Sequence, residues 1–204
     1  SVAPSAGWTS THANDSPTPL LDEIVEHDAR HVRARCSVSL LNDNFIRDHV
    51  LSGPVTDNDP ALFGLSCVPF TVSLEAMAEA CALLAGEREL RVVENVRAFD
   101  WVALDDEALT FHVEAEVIEG AAGRYAARVL TQRGPVLTAE FGFEADWRLG
   151  PVADLVERRE SCLNSPHLYA TGMFHGPVFQ SMRHVQAWDD SGIDVELSEA
   201  SLAH

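Results

Sequence analysis

The sequence predicts an α+β fold in which an antiparallel sheet wraps around one buried helix. Residues 69–85 are apolar on most of the faces that a helix would present. Four strand-like segments follow, and the short connections between them favour antiparallel pairing of chain neighbours. One buried helix that precedes several long antiparallel strands is typical of an α+β layout, because the sheet can bury the apolar surface of the helix.

The composition is that of a globular protein, and its charge excludes nucleic acid as a partner. The 204 residues are 46% hydrophobic and 23% charged, as in an ordinary folded domain. No apolar run reaches the ~18 residues of a membrane-spanning helix. The 14 basic and 32 acidic residues leave a net charge of −18, which repels phosphate backbones. The chain has no lysine, so Schiff-base chemistry is excluded as well.

The N-terminus predicts an arm, and the cysteines predict a cytoplasmic location. Residues 1–19 are rich in Ser, Thr, Pro and Ala, so we expect a linker or flexible arm there. They lack the basic start and apolar stretch of a signal peptide. The four cysteines lie far apart without a C-x-x-C pair, which indicates reduced thiols in a cytoplasmic protein.

The segments before the helix predict one clear strand and a long loop. Residues 33–41 alternate between polar and apolar side chains, which is the period of a half-buried strand. Residues 20–31 predict either a short helix or an edge segment. Residues 42–67 are polar with scattered glycine and proline, so they predict a loop, and loops of this length are commonly functional.

The helix itself has two apolar faces. Pro69 suits the first turn of a helix, and Gly86 is a natural stop. One stripe, with spacings of four and three residues, consists of Phe70, Leu74, Met77, Cys81 and Leu84. Ala76 and Ala80 belong to a second face of small residues, which allows close approach to a sheet.

Turn residues divide the rest of the chain into strand-like segments. Those that follow the helix are residues 90–102, 109–118, 124–133 and 136–147, and they predict an antiparallel meander. With the helix, this is the hotdog arrangement. Later segments predict short helices at 152–159 and within 161–171, and strands at 178–188 and 194–197. We therefore expect an N-terminal hotdog over residues 20–160 and the beginning of a second unit over residues 161–204.

His49 is the residue best suited to chemistry. It lies between a predicted strand and the buried helix, on a loop expected to turn at Gly53. An imidazole that titrates near neutral pH suits a general base, and free backbone N–H groups at such a turn can stabilise an enolate oxygen. An ordinary loop histidine is the alternative. The nine histidines show no metal-ligand spacing.

Three blocks, taken in order, resemble a known family. His49-x-x-x-Gly53 resembles the H-x-x-x-G motif of the dehydratase domains of polyketide and fatty acid synthases. Residues 68–80 resemble the proline and hotdog helix that follow that motif. Residues 172–180 (GMFHGPVFQ) resemble the G-x-x-Y-G-P-x-F-Q stretch that opens the second hotdog. The order and distance of the blocks match a double hotdog, and the resemblance covers roughly residues 30–200.

The chain also departs from the family pattern. His175 stands where most members have tyrosine, and the loop between residues 53 and 69 is longer. Both features look most like the iterative enediyne and polyunsaturated fatty acid types of synthase. The catalytic aspartate of the family lies in a D-x-x-x-Q/H motif, and no such motif follows Phe179. The resemblance therefore implies that the C-terminal part is missing and that this acid lies beyond residue 204.

The resemblance implies a dehydratase of polyketide and antibiotic biosynthesis. It would eliminate water from a 3-hydroxyacyl thioester on an acyl carrier protein to give the trans-2-enoyl thioester, with His49 as the general base. Gly53 and Pro69 would lie at the thioester carbonyl. The tunnel and second-hotdog residues would be His175, Gly176, Pro177 and Phe179.

The same resemblance implies no metal or organic cofactor, because the substrate arrives on the phosphopantetheine arm of the carrier protein. The partners would be that carrier domain and the neighbouring domains of the same multidomain synthase, and a homodimer stays open. Two other functions also remain open. One is a hotdog thioesterase, which would activate water and release free thiol. The other is a non-catalytic, product-shaping domain that holds an acyl chain, for which the missing acid argues.

Overall fold

The structure is a computed structural model that describes residues 17–54, 63–144 and 154–198. In chain order the strands are β1 (Glu23–His27), β2 (His31–Ser39), β3 (Val50–Pro54), β4 (Phe63–Ser66), β5 (Glu89–Ala98), β6 (Ala108–Val117), β7 (Arg124–Thr131), β8 (Gly134–Glu144), β9 (Arg159–Glu160), β10 (Met182–Trp188) and β11 (Ile193–Leu197). The α-helices are α1 (Asn44–Arg47), α2 (Phe70–Ala85) and α3 (Ser165–Thr171), and Pro177–Phe179 form a 3₁₀ turn. Among the described residues, no helix is both long and apolar enough to cross a membrane.

The described residues form two compact units. The sheet unit comprises residues 17–46 and 67–144, and the histidine unit comprises residues 47–54, 63–66 and 154–198. These units cut across the division at residue 160, because the segment around His49 groups with the C-terminal segment. The division into two hotdogs stays a prediction. Most of the predicted arm, residues 1–16, lies outside the described residues.

The sheet unit confirms the antiparallel sheet and the buried helix. Its six strands are ordered β1-β2-β6-β7-β8-β5, and every neighbouring pair is antiparallel. Alternate residues of β2, from Val32 to Val38, are buried, as the period of two predicts. Helix α2 contacts β2 and β5 to β8 through Ala76, Met77 and Ala80, which are almost fully buried. This is the hotdog arrangement.

Several details differ from the sequence-based predictions. The meander holds only for β6 to β8, since β5 pairs with β8 at the sheet edge. The chain moves three strand positions between β5 and β6, about 14 Å at ~4.8 Å per strand, which the nine-residue connection can span. Residues 20–31 contain the edge strand β1, and the predicted loop 42–67 contains α1, β3 and β4. Described residues 154–158 hold no helix.

The histidine unit is built from short elements. Strand β3 pairs with β4, and β10 lies between β9 and β11 in a second antiparallel sheet. Asn164 caps α3, because its side chain accepts the His167 N–H at 2.9 Å. The predicted strand 178–188 divides into the 3₁₀ turn and β10, and the predicted strand 194–197 is confirmed as β11.

Candidate active site

His49 is a buried residue between α1 and β3. Only 8% of its surface is exposed. The residues that follow it are fixed by strand pairing, with Val50 opposite Ser66 and Leu51 opposite Leu65. That pairing fixes the backbone after His49. The position of the imidazole also depends on the contacts that His49 and the preceding Asp48 make with the rest of the unit.

Those contacts come from the segment that begins at residue 174. A backbone bridge joins His49 to His175. The Gly176 N–H donates to the Asp48 carbonyl at 2.8 Å, and the Val178 N–H donates to Asp48 Oδ2 at 2.7 Å across 130 residues of sequence. The two motifs singled out by the sequence therefore lie side by side within the histidine unit.

Aromatic rings surround the His49 imidazole. The Phe174 ring centroid lies 5.1 Å away in an edge-on arrangement, and the Phe179 centroid lies 5.8 Å away in a similar one. The His175 ring is tilted at 5.8 Å and stacks on Phe174 at 4.5 Å. Edge-on aromatic pairs are favourable by about 0.5–1.5 kcal/mol. The cluster therefore holds the imidazole between apolar faces.

Each position of the Gly-Pro-x-Phe-Gln segment has a local role. Gly176 lies so close to Asp48 that a Cβ would be 2.5 Å from Oδ1. Pro177 starts the 3₁₀ turn, where its fixed φ is suitable, and the turn directs the Phe179 ring toward His49. The Gln180 side chain donates to the His175 carbonyl at 3.1 Å. The segment is thus shaped around His49 and Asp48.

Gly53 lies in a bulged strand, which corrects the expected turn. Leu51 is opposite Leu65 and Pro54 is opposite Phe63, so three steps along β3 match two along β4. One extra residue in a strand leaves a backbone group outside the ladder and increases the local twist. The bulge therefore lies where the turn was expected, within five residues after His49.

Pro69 belongs to the sheet unit, directly before α2, with φ −55° and ψ 141°. It makes no side-chain cap to the helix. An apolar groove of about 560 Å³ lies at this end of α2, and its lining includes Phe70, Ser73, Phe99 and Trp101. Sequence reasoning missed this groove, because Phe99 and Trp101 were assigned to a strand that ends at Ala98.

The aspartates of the C-terminal segment have other roles. Asp189 accepts hydrogen bonds from the Ser191 hydroxyl and from the Glu157, Ser191 and Gly192 N–H groups. These bonds, first that of the Ser191 hydroxyl, hold the pKa of Asp189 well below its usual range. Asp190 and Asp194 form ion pairs with arginines. No group of three or more His, Cys, Asp or Glu in the described ranges could hold a metal ion.

Comparisons with known proteins give a fold likeness. No protein-family model matches the sequence, and no curated protein does either. The dehydratase domain from the CurF module of the curacin polyketide synthase is 16% identical, with TM-score 0.69 over 90% of this chain and 67% of that one. A dehydratase domain of a mycocerosic acid synthase-like polyketide synthase is 18% identical, with TM-score 0.62 over 94% and 65%. A trans-AT polyketide synthase dehydratase domain from Brevibacillus brevis is 18% identical, with TM-score 0.67 over 90% and 69%.

These likenesses confirm the predicted fold. The chain has the hotdog fold found in the dehydratase domains of polyketide synthases. It spans about two thirds of the length of those structures. The second hotdog and the enediyne or polyunsaturated fatty acid subtype stay predictions.

Proposed function

We propose that the chain is part of a polyketide synthase dehydratase domain. It would convert a 3-hydroxyacyl thioester on an acyl carrier protein into the trans-2-enoyl thioester and water. One observation carries this proposal. The buried His49 and the ring-bearing segment 174–179, two of the three blocks that resemble that family, meet in one compact unit. The fold likeness supports the same function.

In the proposed reaction His49 removes the proton from C2 of the substrate. The electron pair of that C–H bond forms the double bond between C2 and C3, and the C3 hydroxyl leaves. The thioester oxygen gains negative charge on the way, and backbone N–H groups stabilise such charge effectively. We assign that role to the bulge at Gly53. For Pro69, which directly precedes α2 in the sheet unit, the same role rests on the family resemblance alone.

The leaving hydroxyl needs a proton to depart as water. Asp189, Asp190 and Asp194 are engaged in hydrogen bonds and ion pairs of their own unit, so we assign this step to none of them. We propose that the acid is an aspartate beyond residue 204. That assignment follows the family resemblance and is separate from the role of His49.

The rings around His49 suit an acyl substrate. Phe174 is 47% exposed and Val178 is 39% exposed, so apolar surface is available beside the buried imidazole. Apolar walls receive an acyl chain and exclude water, which disfavours hydrolysis of the thioester. We propose that His175, Pro177 and Phe179 shape this wall.

The proposed substrate arrives on the phosphopantetheine arm of the carrier protein, so the reaction needs no further cofactor. The proposed partners are that carrier domain and neighbouring domains of a cytoplasmic synthase, and a homodimer stays open. A net charge of −18 would repel a free acidic carrier protein. A carrier domain in the same polypeptide avoids this difficulty, because a short linker gives an effective concentration in the mM range.

The test is dehydration by the parent polypeptide, extended beyond His204. A 3-hydroxyacyl carrier-protein thioester is incubated with enzyme, and the loss of water is followed by mass spectrometry. We expect His49→Ala to slow the reaction by about 10²-fold or more. The matched control is His184→Ala, an exposed histidine on β10 in the same unit, which should keep the wild-type rate.

Other outcomes would contradict the proposal in distinct ways. Release of free thiol without dehydration would indicate the thioesterase. A folded wild type that binds the thioester but leaves it unchanged, at several chain lengths, would indicate the product-shaping domain. Full activity in His49→Ala would show that the base is another residue.

A further inference from the structure

We infer that Asp48 is a positioning residue, which sets the place of the His49 imidazole among the rings of Phe174, His175 and Phe179. The inference rests on the proposed function, because it assigns how the proposed base is held. It adds a residue that neither the periodicity nor the family resemblance singled out. Asp48 acts through its neighbour, so we assign it no contact with substrate.

Asp48 holds the facing segment at two points. Its carbonyl accepts the Gly176 N–H at 2.8 Å, and its carboxylate Oδ2 accepts the Val178 N–H at 2.7 Å. A single hydrogen bond would let one segment pivot about the other. Two bonds from one residue to N–H groups two positions apart fix both distance and orientation. The ionised carboxylate strengthens the second bond, since charge-assisted hydrogen bonds are shorter and stronger than neutral ones.

Gly176 is the complement of Asp48. A Cβ at residue 176 would lie 2.5 Å from Asp48 Oδ1, 2.6 Å from Cγ and 2.8 Å from Cβ. The φ of Gly176 is −73°, which any residue adopts, so the backbone does not require glycine there. Glycine is required by the available space instead, because the Asp48 side chain lies directly against the Gly176 backbone. The aspartate and the glycine therefore form one close contact.

The contact determines the surroundings of His49. Consecutive Cα atoms are ~3.8 Å apart, so a shift of Asp48 relative to Gly176 moves His49 relative to residues 174–179. The imidazole lies 5.1 Å from the Phe174 ring and 5.8 Å from the Phe179 ring. Misplacement of a catalytic group by about 1 Å can cost about 10²-fold in rate. We therefore expect Asp48 to influence the reaction rate through the position of His49.

The kinetic test compares two substitutions with a control, all in the parent polypeptide. We expect Asp48→Ala to lower kcat by about 10²-fold while KM changes less than about threefold. Asp48→Asn keeps an oxygen that can accept the Val178 N–H, so its kcat should stay within about fivefold of wild type. Asp190→Ala, which removes an exposed aspartate of the same unit, should keep the wild-type kcat. A purely structural role would not give this rescue by asparagine.

A second readout needs no activity. In protein labelled at histidine, the His49 Cε1–H resonance is assigned from its absence in His49→Ala. Neighbouring aromatic rings shift this resonance, so Asp48→Ala should move it, Asp48→Asn should restore it, and Asp190→Ala should leave it in place. If Asp48→Ala does not fold, Gly176→Ala replaces it, because the added methyl group displaces the carboxylate without removing it.

The two readouts separate the inference from the proposed function. If wild type does not dehydrate the thioester but the resonance moves as expected, the proposed function fails and the positioning role of Asp48 stands. If wild type is active while Asp48→Ala, or Gly176→Ala in its place, keeps both kcat and the His49 resonance, the positioning role is wrong and the function stands.

Discussion

Replacing Gly176 with alanine tests the contact on which the candidate site depends. The new methyl carbon would lie 2.5 Å from Asp48 Oδ1, so the Asp48 side chain must move. Moving it removes the Val178 N–H bond to Oδ2, now 2.7 Å. A hydrogen bond to a charged group contributes about 1.5–3 kcal/mol to stability. Alanine is less flexible than glycine in the unfolded chain, which stabilises the folded protein by about 0.4–1 kcal/mol. We therefore expect Gly176→Ala to lower the free energy of unfolding by about 1–2 kcal/mol.

The assay is urea unfolding of four proteins: wild type, Gly176→Ala, Asp48→Gly and the double variant. In the Asp48→Gly background both the carboxylate and the Cβ, which would lie 2.8 Å from the new methyl carbon, are gone, so the second substitution should cost less than about 0.5 kcal/mol. The two effects should therefore be non-additive by about 1 kcal/mol or more. Gly192→Ala is the matched control, because a Cβ there meets only Leu155 Cδ2 at an ordinary 3.6 Å. Equal stability of wild type and Gly176→Ala, or full additivity, would refute the reasoning.

Three further predictions concern groups outside the proposed site. Burial raises the pKa of the Cys36 and Cys81 thiols, so Ellman's reagent should modify exposed Cys162 first, and rapid modification of a second thiol in native protein would contradict this. The lowered pKa of Asp189 means that its charge stabilises the fold above the unfolded pKa of ~3.9. This contribution is lost as the pH falls below about 4 toward the lower folded pKa, so urea midpoints at pH 7 and pH 3 should differ less in Asp189→Asn than in wild type. Met77 is fully buried, so Met77→Ala should cost about 2–5 kcal/mol in urea unfolding, and a loss below 1 kcal/mol would place Met77 outside the core.

The parts of the fold that were predicted correctly depend on local patterns. The helix was predicted from the spacing of its apolar residues, and it forms at Phe70–Ala85. Strands β6 to β8 were predicted from alternation and turn residues, and their hairpin pairing follows from short connections. Such patterns determine which face of a segment is buried, because side-chain direction repeats with the backbone.

The parts that were missed depend on contacts between distant residues. The place of β5 at the sheet edge depends on pairing with β8, which no local pattern encodes. The apolar spacing of α2 does not account for Glu79, which is buried and accepts the Leu20 N–H at 2.9 Å. A carboxylate on an apolar helix becomes buried only when a distant segment supplies its donor.

The candidate site was predicted in part. The family resemblance pointed to His49 and to residues 172–180, and the structure brings these together within one unit. Asp48 was missed, although it precedes His49 directly, because its role appears only when Gly176 and Val178 are beside it. Gly176 was the available signal in the sequence. A glycine does not show, however, which side chain lies where its Cβ would be.

The most direct test of the central claim is whether His49 removes the C2 proton. A 3-hydroxyacyl thioester is incubated in D₂O with the parent polypeptide, and deuterium at C2 of the recovered substrate is measured by mass spectrometry. Because an enolate can be reprotonated by solvent, we expect wild type to incorporate deuterium at C2. We expect His49→Ala to incorporate it at least about 10²-fold more slowly. Incorporation at equal rates in the two proteins would contradict the assignment of His49 as the base.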